Sequence, residues 1–377
     1  MIALVSPTSG QPLGADTPHS LADGWGGRWP VVDGIPFLRV GQEGLVALAL
    51  GHLDHGRPDE ALVTLLTNQD DWWTGPATDL AELRRLVAER DTLNLREAMA
   101  LLRLGPVADY FAYRWSDPTY LAGLALLEAH WNEPDTAFEL ACGIGHYLRE
   151  LTRRGVKCVG ADVVFAKCWL AKHWVAPDAE YVVFDAGATW PIRDRYDLVQ
   201  CHDAFYFMPR QDFVADHLRE AVAPGGVLAV SHVHNSEFWD GAKGPAKSSA
   251  EWDSLFPNAT VYNESDLLWA LLGANAPRAR GWVDDQGIEA FSLVEGVIRE
   301  PRCLVDGLAM PASDAKLQSN PLLTGKPHPD HVIWPSEQYW AEYGPGCFWQ
   351  NGDDDLGWGM KRDPARLRRV VDLPERW

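Results

Sequence analysis

Metal-binding cysteine pairs are missing from this chain. Its six cysteines (Cys142, Cys158, Cys168, Cys201, Cys303, Cys347) show no CxxC spacing, which argues against a zinc ribbon or a dithiol redox centre. Four of them fall in apolar segments, as reduced core thiols do. Long apolar runs are also lacking: none reaches the roughly 18 residues of a membrane span, and the first ten residues are too short and polar for a signal peptide. A cytoplasmic protein with no membrane partner is expected. Positive charge is scarce. Lys plus Arg number 33 against 53 Asp plus Glu, a formal charge of -20, and a surface of that sign repels phosphate backbones. The short basic stretches Arg84-Arg85, Arg153-Arg154 and Arg366 to Arg369 read as solvated helix faces. No nucleic-acid partner is expected. A small-molecule substrate is, and a homo-oligomer is compatible with the composition. What the chain has in excess is tryptophan, 18 in 377 residues. Most must pack the core, and the surplus suits an aromatic-lined pocket.

Taken in order, residues 1–40 read as a small β unit: Ile2 to Val5, a polar turn, then residues 28–39 with Asp33-Gly34 as a tight turn. Residues 41–116 read as a helical region. Leu45, Leu48 and Ala49, then Ala61, Leu62 and Leu65, repeat at three and four; residues 80–89 and 95–104 behave alike, as do 118–130 beyond. Pro58, Gly75-Pro76, Gly105-Pro106 and Pro118 punctuate them. Residues 109–120 gather Tyr110, Phe111, Tyr113, Trp115 and Tyr120 around Arg114. Two readings compete: an aromatic helix packed on a sheet, or a lid in which Tyr110, Tyr113, Arg114 and Trp115 contact substrate.

An α/β alternation follows. Strands are expected at 138–142, 156–162, 181–185, 196–201 and 227–231, the last after Pro224-Gly225-Gly226, with helices between them, which gives a parallel sheet. Residues 288–296 read as a final, antiparallel strand, residues 264–272 as a helix and residues 235–258 as an active-site flap. Ligands bind beyond the carboxyl ends of such strands. There, Gly143 and Gly145 open a tight turn before a helix starting at His146, Asp162 ends the second strand and Asp185 the third. A carboxylate after strand two suits ribose hydroxyls, and one after strand three suits the adenine amino group. Leu148 stands where a dinucleotide fingerprint needs a third small residue, which disfavours a dinucleotide. The bland reading is a Rossmann-like scaffold whose acids merely cap strand ends.

With these residues in view, residues 117–298 resemble the class I S-adenosylmethionine-dependent methyltransferases. Glu139-x-Ala141-Cys142-Gly143-x-Gly145 stands for the first motif, with Ala141 in place of its first glycine. Asp162 stands for the ribose-binding acid, Asp185-Ala186 for the adenine-contacting pair, and Pro224-Gly225-Gly226 for the turn before strand five. The resemblance implies an α/β, Rossmann-like methyltransferase sheet, mostly parallel with the last strand antiparallel, carrying the small β unit, the helical region and a C-terminal extension, residues 299–377, packed on the core. It implies S-adenosyl-L-methionine as cofactor, held by Glu139, Ala141, Gly143, Gly145, Asp162, Val163, Asp185, Ala186 and His202, with Glu139 positioning the methionine part. The Ala141 methyl is tolerated if its backbone is not at positive φ. Residues 1–40 resemble a Trm112-type zinc-ribbon-like domain. Ser6-Pro7-Thr8-Ser9 stands where that family has its Cys-Pro-x-Cys, and residues 29–36 match its closing Tyr-Pro-x-x-Asp-Gly-Ile-Pro stretch. Serine hydroxyls do not replace thiolate ligands, so no metal is expected.

Methyl transfer from a sulfonium is an in-line displacement, in which the protein holds the acceptor on axis and excludes water. Where the acceptor must lose a proton, His202 and then His232 are the candidate bases, with Tyr206 and His234 beside the substrate. Each histidine has an ordinary packing role as its alternative. His146 is read as a cofactor or backbone contact. The competing functions are methylation of a protein or RNA with the ribbon-like unit as docking element, and a non-catalytic cofactor-binding scaffold.

Overall fold

Four short strands joined by tight turns open the fold. The computed structural model describes residues 2–69, 75–238, 246–283, 285–296, 299–313, 315–323, 332–343 and 365–377. In it β1 (Gly14–Thr17), β2 (Ser20–Ala22), β3 (Arg28–Val32) and β4 (Ile35–Pro36) pair in that order. Asp33 and Gly34 turn β3 into β4 with φ of 53° and 73°, the left-handed pair that a two-residue hairpin needs. β1 and β2 lie where a polar turn was expected; β1 is largely exposed and shows no apolar alternation. Leu4 and Val5 supply only isolated bridges, to Ile192 and Pro12. At the two serines of the ribbon-like motif, Ser9 Oγ donates to Asp23 Oδ2 at 2.7 Å and Ser6 Oγ lies 3.0 Å from Thr8 Oγ1.

The unit is anchored at the far edge of the main sheet. Phe37 forms a parallel bridge with Val183, and the Leu38 N–H donates to the Val183 carbonyl at 2.7 Å, which covers an otherwise open edge. Asp33 accepts from Trp169 Nε1 at 2.8 Å and from His173 Nε2 at 2.6 Å.

Among the described residues six helices follow: α1 (Glu43–Asp54), α2 (Pro58–Leu66), α3 (Leu80–Glu89), α4 (Leu95–Leu101), α5 (Pro106–Tyr113) and α6 (Pro118–Ala129). Prolines open α2, α5 and α6, where a missing N–H costs nothing. Asn94 and Glu97 form a capping box on α4. α6 is buried on nearly every side, as expected of a helix lying between the sheet and a second helical layer.

The sheet itself alternates with helices: β5 (Thr136–Leu140), α7 (His146–Thr152), β6 (Lys157–Asp162), α8 (Phe165–Leu170), β7 (Glu180–Val183), β8 (Tyr196–His202), α9 (Gln211–Glu220), β9 (Val222–His234), α10 (Ser249–Leu255), β10 (Thr260–Asn263), α11 (Glu264–Gly273) and β11 (Ala290–Gly296). Its order is β10-β11-β9-β8-β5-β6-β7, with β11 antiparallel to both of its neighbours, β9 and β10, and every other neighbouring pair parallel. This is the Rossmann-like class I methyltransferase arrangement. β10 was not expected, because only Val261 and Tyr262 of its four residues are buried. α10 occupies part of the stretch read as a flap, and residues 239–245 of that stretch lie outside the described residues. The strand order reverses between β8 and β5, so the crevice above their carboxyl ends is where a ligand fits.

The C-terminal segment adds β12 (Gln318–Ser319) paired with β13 (Val370–Val371), and α12 (Glu337–Tyr343). Ser116 Oγ donates to Asn320 Oδ1 at 2.9 Å, and Trp377 Nε1 donates to the Ala112 carbonyl at 2.7 Å. Arg366 and Arg368 are buried, which corrects their reading as a solvated face. The Arg366 guanidinium donates to the carbonyls of Leu271, Leu304 and Val305, so a planar fork of donors is used to satisfy loose carbonyls near the end of α11. Cys142, Cys158, Cys168 and Cys201 are buried free thiols and Cys303 is exposed. Cys347, Trp349, Trp358 and the acidic stretch 352–355 lie outside the described residues. Among the described residues no helix is long and apolar enough to cross a membrane.

Candidate active site

β5 delivers the chain into a turn built on left-handed backbone: Ala141, Gly143 and Gly145 have φ of 55°, 53° and 83°. The expectation for Ala141 is corrected here. Its methyl was to be harmless at negative φ, yet the turn imposes positive φ on a residue with a Cβ, a strain of about 1 kcal/mol or more. The two glycines are needed on other grounds as well. A Cβ on Gly143 would sit 3.1 Å from Phe111 Cε1, and one on Gly145 would sit 3.2 Å from the Ala171 Cβ. Leu148 occupies the third fingerprint position, and the close approach of helix to strand comes instead from Gly160 on β6, where a Cβ would meet Leu148 Cδ1 at 2.5 Å.

Asp162, at the end of β6, is buried. Its Oδ2 accepts from the Gly143 N–H at 3.1 Å and its Oδ1 from the Val164 N–H at 3.0 Å, with Lys167 Nζ 3.6 Å away. It therefore ties the glycine turn to the second strand, and each oxygen keeps a second lone pair. Asp185 closes an Asx turn, accepting from the Gly187 N–H at 2.8 Å. Val163 and Ala186 sit half-buried beside these two acids.

On the neighbouring strand ends lies a row of polar atoms with no partner. Glu139 on β5 is in register with Gln200 on β8. Glu139 Oε2, both amide atoms of Gln200 and Nε2 of His202 are buried without a hydrogen bond. Burial pushes the Glu139 carboxyl up to about 8 and pulls His202 down to about 3. His202 Nδ1 lies 2.6 Å from Ser231 Oγ, and its ring stacks on Tyr147 at 3.9 Å. Buried polar groups are nearly always paired in native proteins. A ligand with an ammonium and a carboxylate at this row would pair them, and the methionine end of S-adenosylmethionine is such a group, so these residues fit that cofactor.

Towards β9 a second polar cluster forms. The buried Arg114 guanidinium lies 3.0 Å from Asp117 Oδ2 and 3.0 Å from Asp203 Oδ2, with its plane over the Tyr110 ring. Tyr110 donates to Asp203 Oδ2 at 3.0 Å and Tyr206 to Asp203 Oδ1 at 3.3 Å. His232 Nδ1 donates to Glu264 Oε2 at 2.6 Å, its Nε2 lies 3.2 Å from His234 Nε2, and the Tyr206 ring stacks on His234 at 3.9 Å. Asp203 and His232 hold φ of 49° and 56°, so with Ala141 three strand ends carry non-glycine residues in left-handed backbone. Burial opposes charge on His232, but the Glu264 and Asp203 carboxylates outweigh it and raise the imidazole to about 10. Burial likewise works against the Asp203 carboxylate, yet His232 and Arg114 hold its pKa below the ordinary value.

The structure thus brings Tyr110, Arg114, His202, Tyr206, His232 and His234 to one end of the sheet. It places Tyr113 elsewhere: that ring packs edge-on against Tyr339 and Trp377, because α5 turns Tyr110 to the crevice and Tyr113 to the C-terminal segment, with Arg114 in the turn after α5. Trp115 lies against His146 at 4.4 Å, and His146 Nε2 donates to the Phe111 carbonyl at 2.9 Å. Both hold the aromatic segment against the glycine turn. Asp117, Gln200, Asp203 and Glu264 were missed. Asp117 carried the signal of an Asp-Pro helix start and Asp203 adjoined a chosen histidine, but nothing local pointed Glu264 at His232.

Residues 113–276 match the family profile described as a methyltransferase domain. No curated protein matches the chain. Among solved structures, a complex of the Haloferax volcanii Trm112 methyltransferase activator with a putative methyltransferase is 17% identical, covering 50% of this chain and 92% of that one at a TM-score of 0.36. A TehB-like S-adenosylmethionine-dependent methyltransferase from Corynebacterium glutamicum is 16% identical, covering 50% and 98% at 0.38. A possible histamine N-methyltransferase from Thermotoga maritima is 16% identical, covering 50% and 91% at 0.35. Likeness at that level carries no argument about substrate or partner. Over residues 113–276 the chain thus matches a methyltransferase domain, and the site described above fits S-adenosylmethionine.

Proposed function

We propose that the acceptor is a small molecule, taken up at the carboxyl ends of β8 and β9 against Tyr110, Arg114, Asp203, Tyr206, His232 and His234. The observation that carries this reading is the depth of the acceptor-side groups: Arg114 is 2% exposed, and the Asp203 and His232 side chains are 6% and 8% exposed. A macromolecular acceptor would need its methylated group to reach that depth. The excess of acidic residues, at a formal charge of -20, argues against RNA.

S-adenosylmethionine, when bound, supplies an electrophilic methyl group on a sulfonium. Glu139, Gln200 and His202 would hold its methionine end, and Asp162 and Asp185 its nucleoside end. His202 serves this side as a hydrogen-bonding group: an imidazole whose conjugate acid ionises near 3 keeps an abstracted proton poorly. The acceptor lies against the Asp203, His232 and His234 cluster, whose orientation Glu264 and Tyr206 fix, and His232, raised to about 10, faces it as a hydrogen-bond donor at neutral pH. The buried thiols and the absence of a membrane-crossing helix among the described residues favour a cytoplasmic setting.

The experiment is an untargeted screen of small metabolites for transfer of a labelled methyl group by the purified chain. Labelled small product that disappears in His232→Ala supports the reading; label found only in protein or RNA overturns it.

A further inference from the structure

We propose that Asp203, His232 and His234 bind one divalent transition-metal ion at the carboxyl ends of β8 and β9. One ligand atom from each of the three lies within 4.8 Å of the other two. His232 Nε2 is 3.2 Å from His234 Nε2 and 3.7 Å from Asp203 Oδ1. Two ligand atoms at about 2.1 Å from a tetrahedral ion lie about 3.4 Å apart, so the first two spacings bracket the coordination chord, and the third closes by side-chain rotation.

The surroundings are arranged as a second ligand shell arranges them. Glu264 takes the Nδ1–H of His232 at 2.6 Å. In the neutral ring this fixes the tautomer and leaves the Nε2 lone pair directed at the cluster. Arg114 and Tyr110 occupy Asp203 Oδ2 at 3.0 Å each, and Oδ1, which accepts from Tyr206 at 3.3 Å, faces His232 with its other lone pair. Tyr206 stacks on His234 at 3.9 Å and sets its ring plane. Charge agrees: Asp203, Glu264 and Asp117 set three carboxylates against the single Arg114 guanidinium, so the surroundings favour a cation. Left-handed backbone at Asp203 and His232, with φ of 49° and 56°, is strain of the kind held at sites that must aim particular side chains. Two imidazoles with one carboxylate favour ions such as Zn²⁺, Fe²⁺, Mn²⁺ or Co²⁺ over Mg²⁺ and Ca²⁺.

Three protein ligands leave coordination positions open beside the row formed by Glu139, Gln200 and His202. An acceptor oxygen or nitrogen bound there would have its pKa lowered, which stands in place of proton removal by a free histidine. This use of the ion rests on the methyltransferase reading; the binding of the ion does not.

The full chain, stripped with a chelator and titrated with Co²⁺, reads the site through its visible absorption bands, with S-adenosylhomocysteine affinity measured in parallel. One equivalent of Co²⁺ is expected. His234→Ala should weaken uptake by more than about 100-fold, and Glu264→Gln by about 10- to 100-fold as an outer-shell partner does, both retaining S-adenosylhomocysteine binding as evidence of folding. Wild-type protein that binds S-adenosylhomocysteine but takes up no Co²⁺ or Zn²⁺ overturns the metal site and leaves the methyltransferase reading standing. Unchanged uptake in both variants also overturns it. Uptake of Co²⁺ lost in the variants, without S-adenosylhomocysteine binding in any of them, upholds the metal site and removes the cofactor reading.

Discussion

Glu139 and Gln200 stand opposite each other on adjacent parallel strands, and both carry buried polar atoms with no partner. The Glu139 carboxyl is raised to about 8 by burial, so it is protonated at neutral pH in the free protein. A cationic ammonium group placed against it favours the carboxylate. Binding of S-adenosylhomocysteine should therefore release a proton at pH 7, and affinity should rise with pH until about 8 and then level. Calorimetry in buffers of different ionisation enthalpy measures the proton count. Glu139→Gln is expected to bind more weakly with no proton release in this range; release that persists in the variant rules out Glu139 as its source. The same shift acts on folding. A carboxyl whose folded pKa lies above its unfolded value of about 4.3 contributes stability below that value and loses it as pH rises through 8.

Ala141 is held at φ 55° where the turn suits glycine. Replacing it by glycine removes about 1 kcal/mol of strain and adds a similar entropy to the unfolded chain. Ala141→Gly should therefore fall within about 1 kcal/mol of wild type in urea denaturation, unlike Gly145→Ala, which adds a methyl 3.2 Å from the Ala171 Cβ. A loss above 2 kcal/mol for Ala141→Gly would mean the methyl makes contacts that outweigh the strain.

Arg114 is buried between Asp117 and Asp203. Removing one member of a buried charge group leaves the others uncompensated, at a cost of about 3–5 kcal/mol. Arg114→Met should lose that much in chemical denaturation, and Arg114→Met with Asp117→Asn should recover part of it. Full additivity of the two changes would show that they do not interact.

Asp33 fastens the N-terminal unit through Trp169 and His173. The His173 hydrogen bond, against some loss from burial, lowers its carboxyl to about 2. Its contribution is present above the unfolded value of about 3.9 and lost as pH falls through 2. Asp33→Ala should cost about 1 kcal/mol at neutral pH, since the group is partly exposed, and should speed proteolysis within residues 1–40. An unchanged cleavage rate would assign the anchoring to Phe37 and Leu38 alone.

The sequence revealed what periodicity and turn chemistry encode. Apolar runs such as 196–201 marked the parallel strands, Gly143 and Gly145 marked the turn after β5, and Asp33-Gly34 marked the hairpin. β10 escaped because four residues with two buried side chains carry no period. The candidate site was legible in part: His202, His232 and His234 were named from the sequence, whereas Glu264 reaches His232 across 32 positions, a contact only the fold creates. Tyr113 was misplaced because aromatic clustering along the chain does not say which face of α5 each ring takes. Ala141 was misjudged because its φ depends on the turn's closure.

The central claim is the cofactor site, and calorimetry with S-adenosylhomocysteine tests it most directly. One molecule should bind per chain, and Asp162→Ala should weaken it at least tenfold, because Asp162 ties Gly143 to β6 and is proposed to meet the nucleoside end. Absence of binding by the folded wild-type protein, or equal affinity in Asp162→Ala, would contradict it.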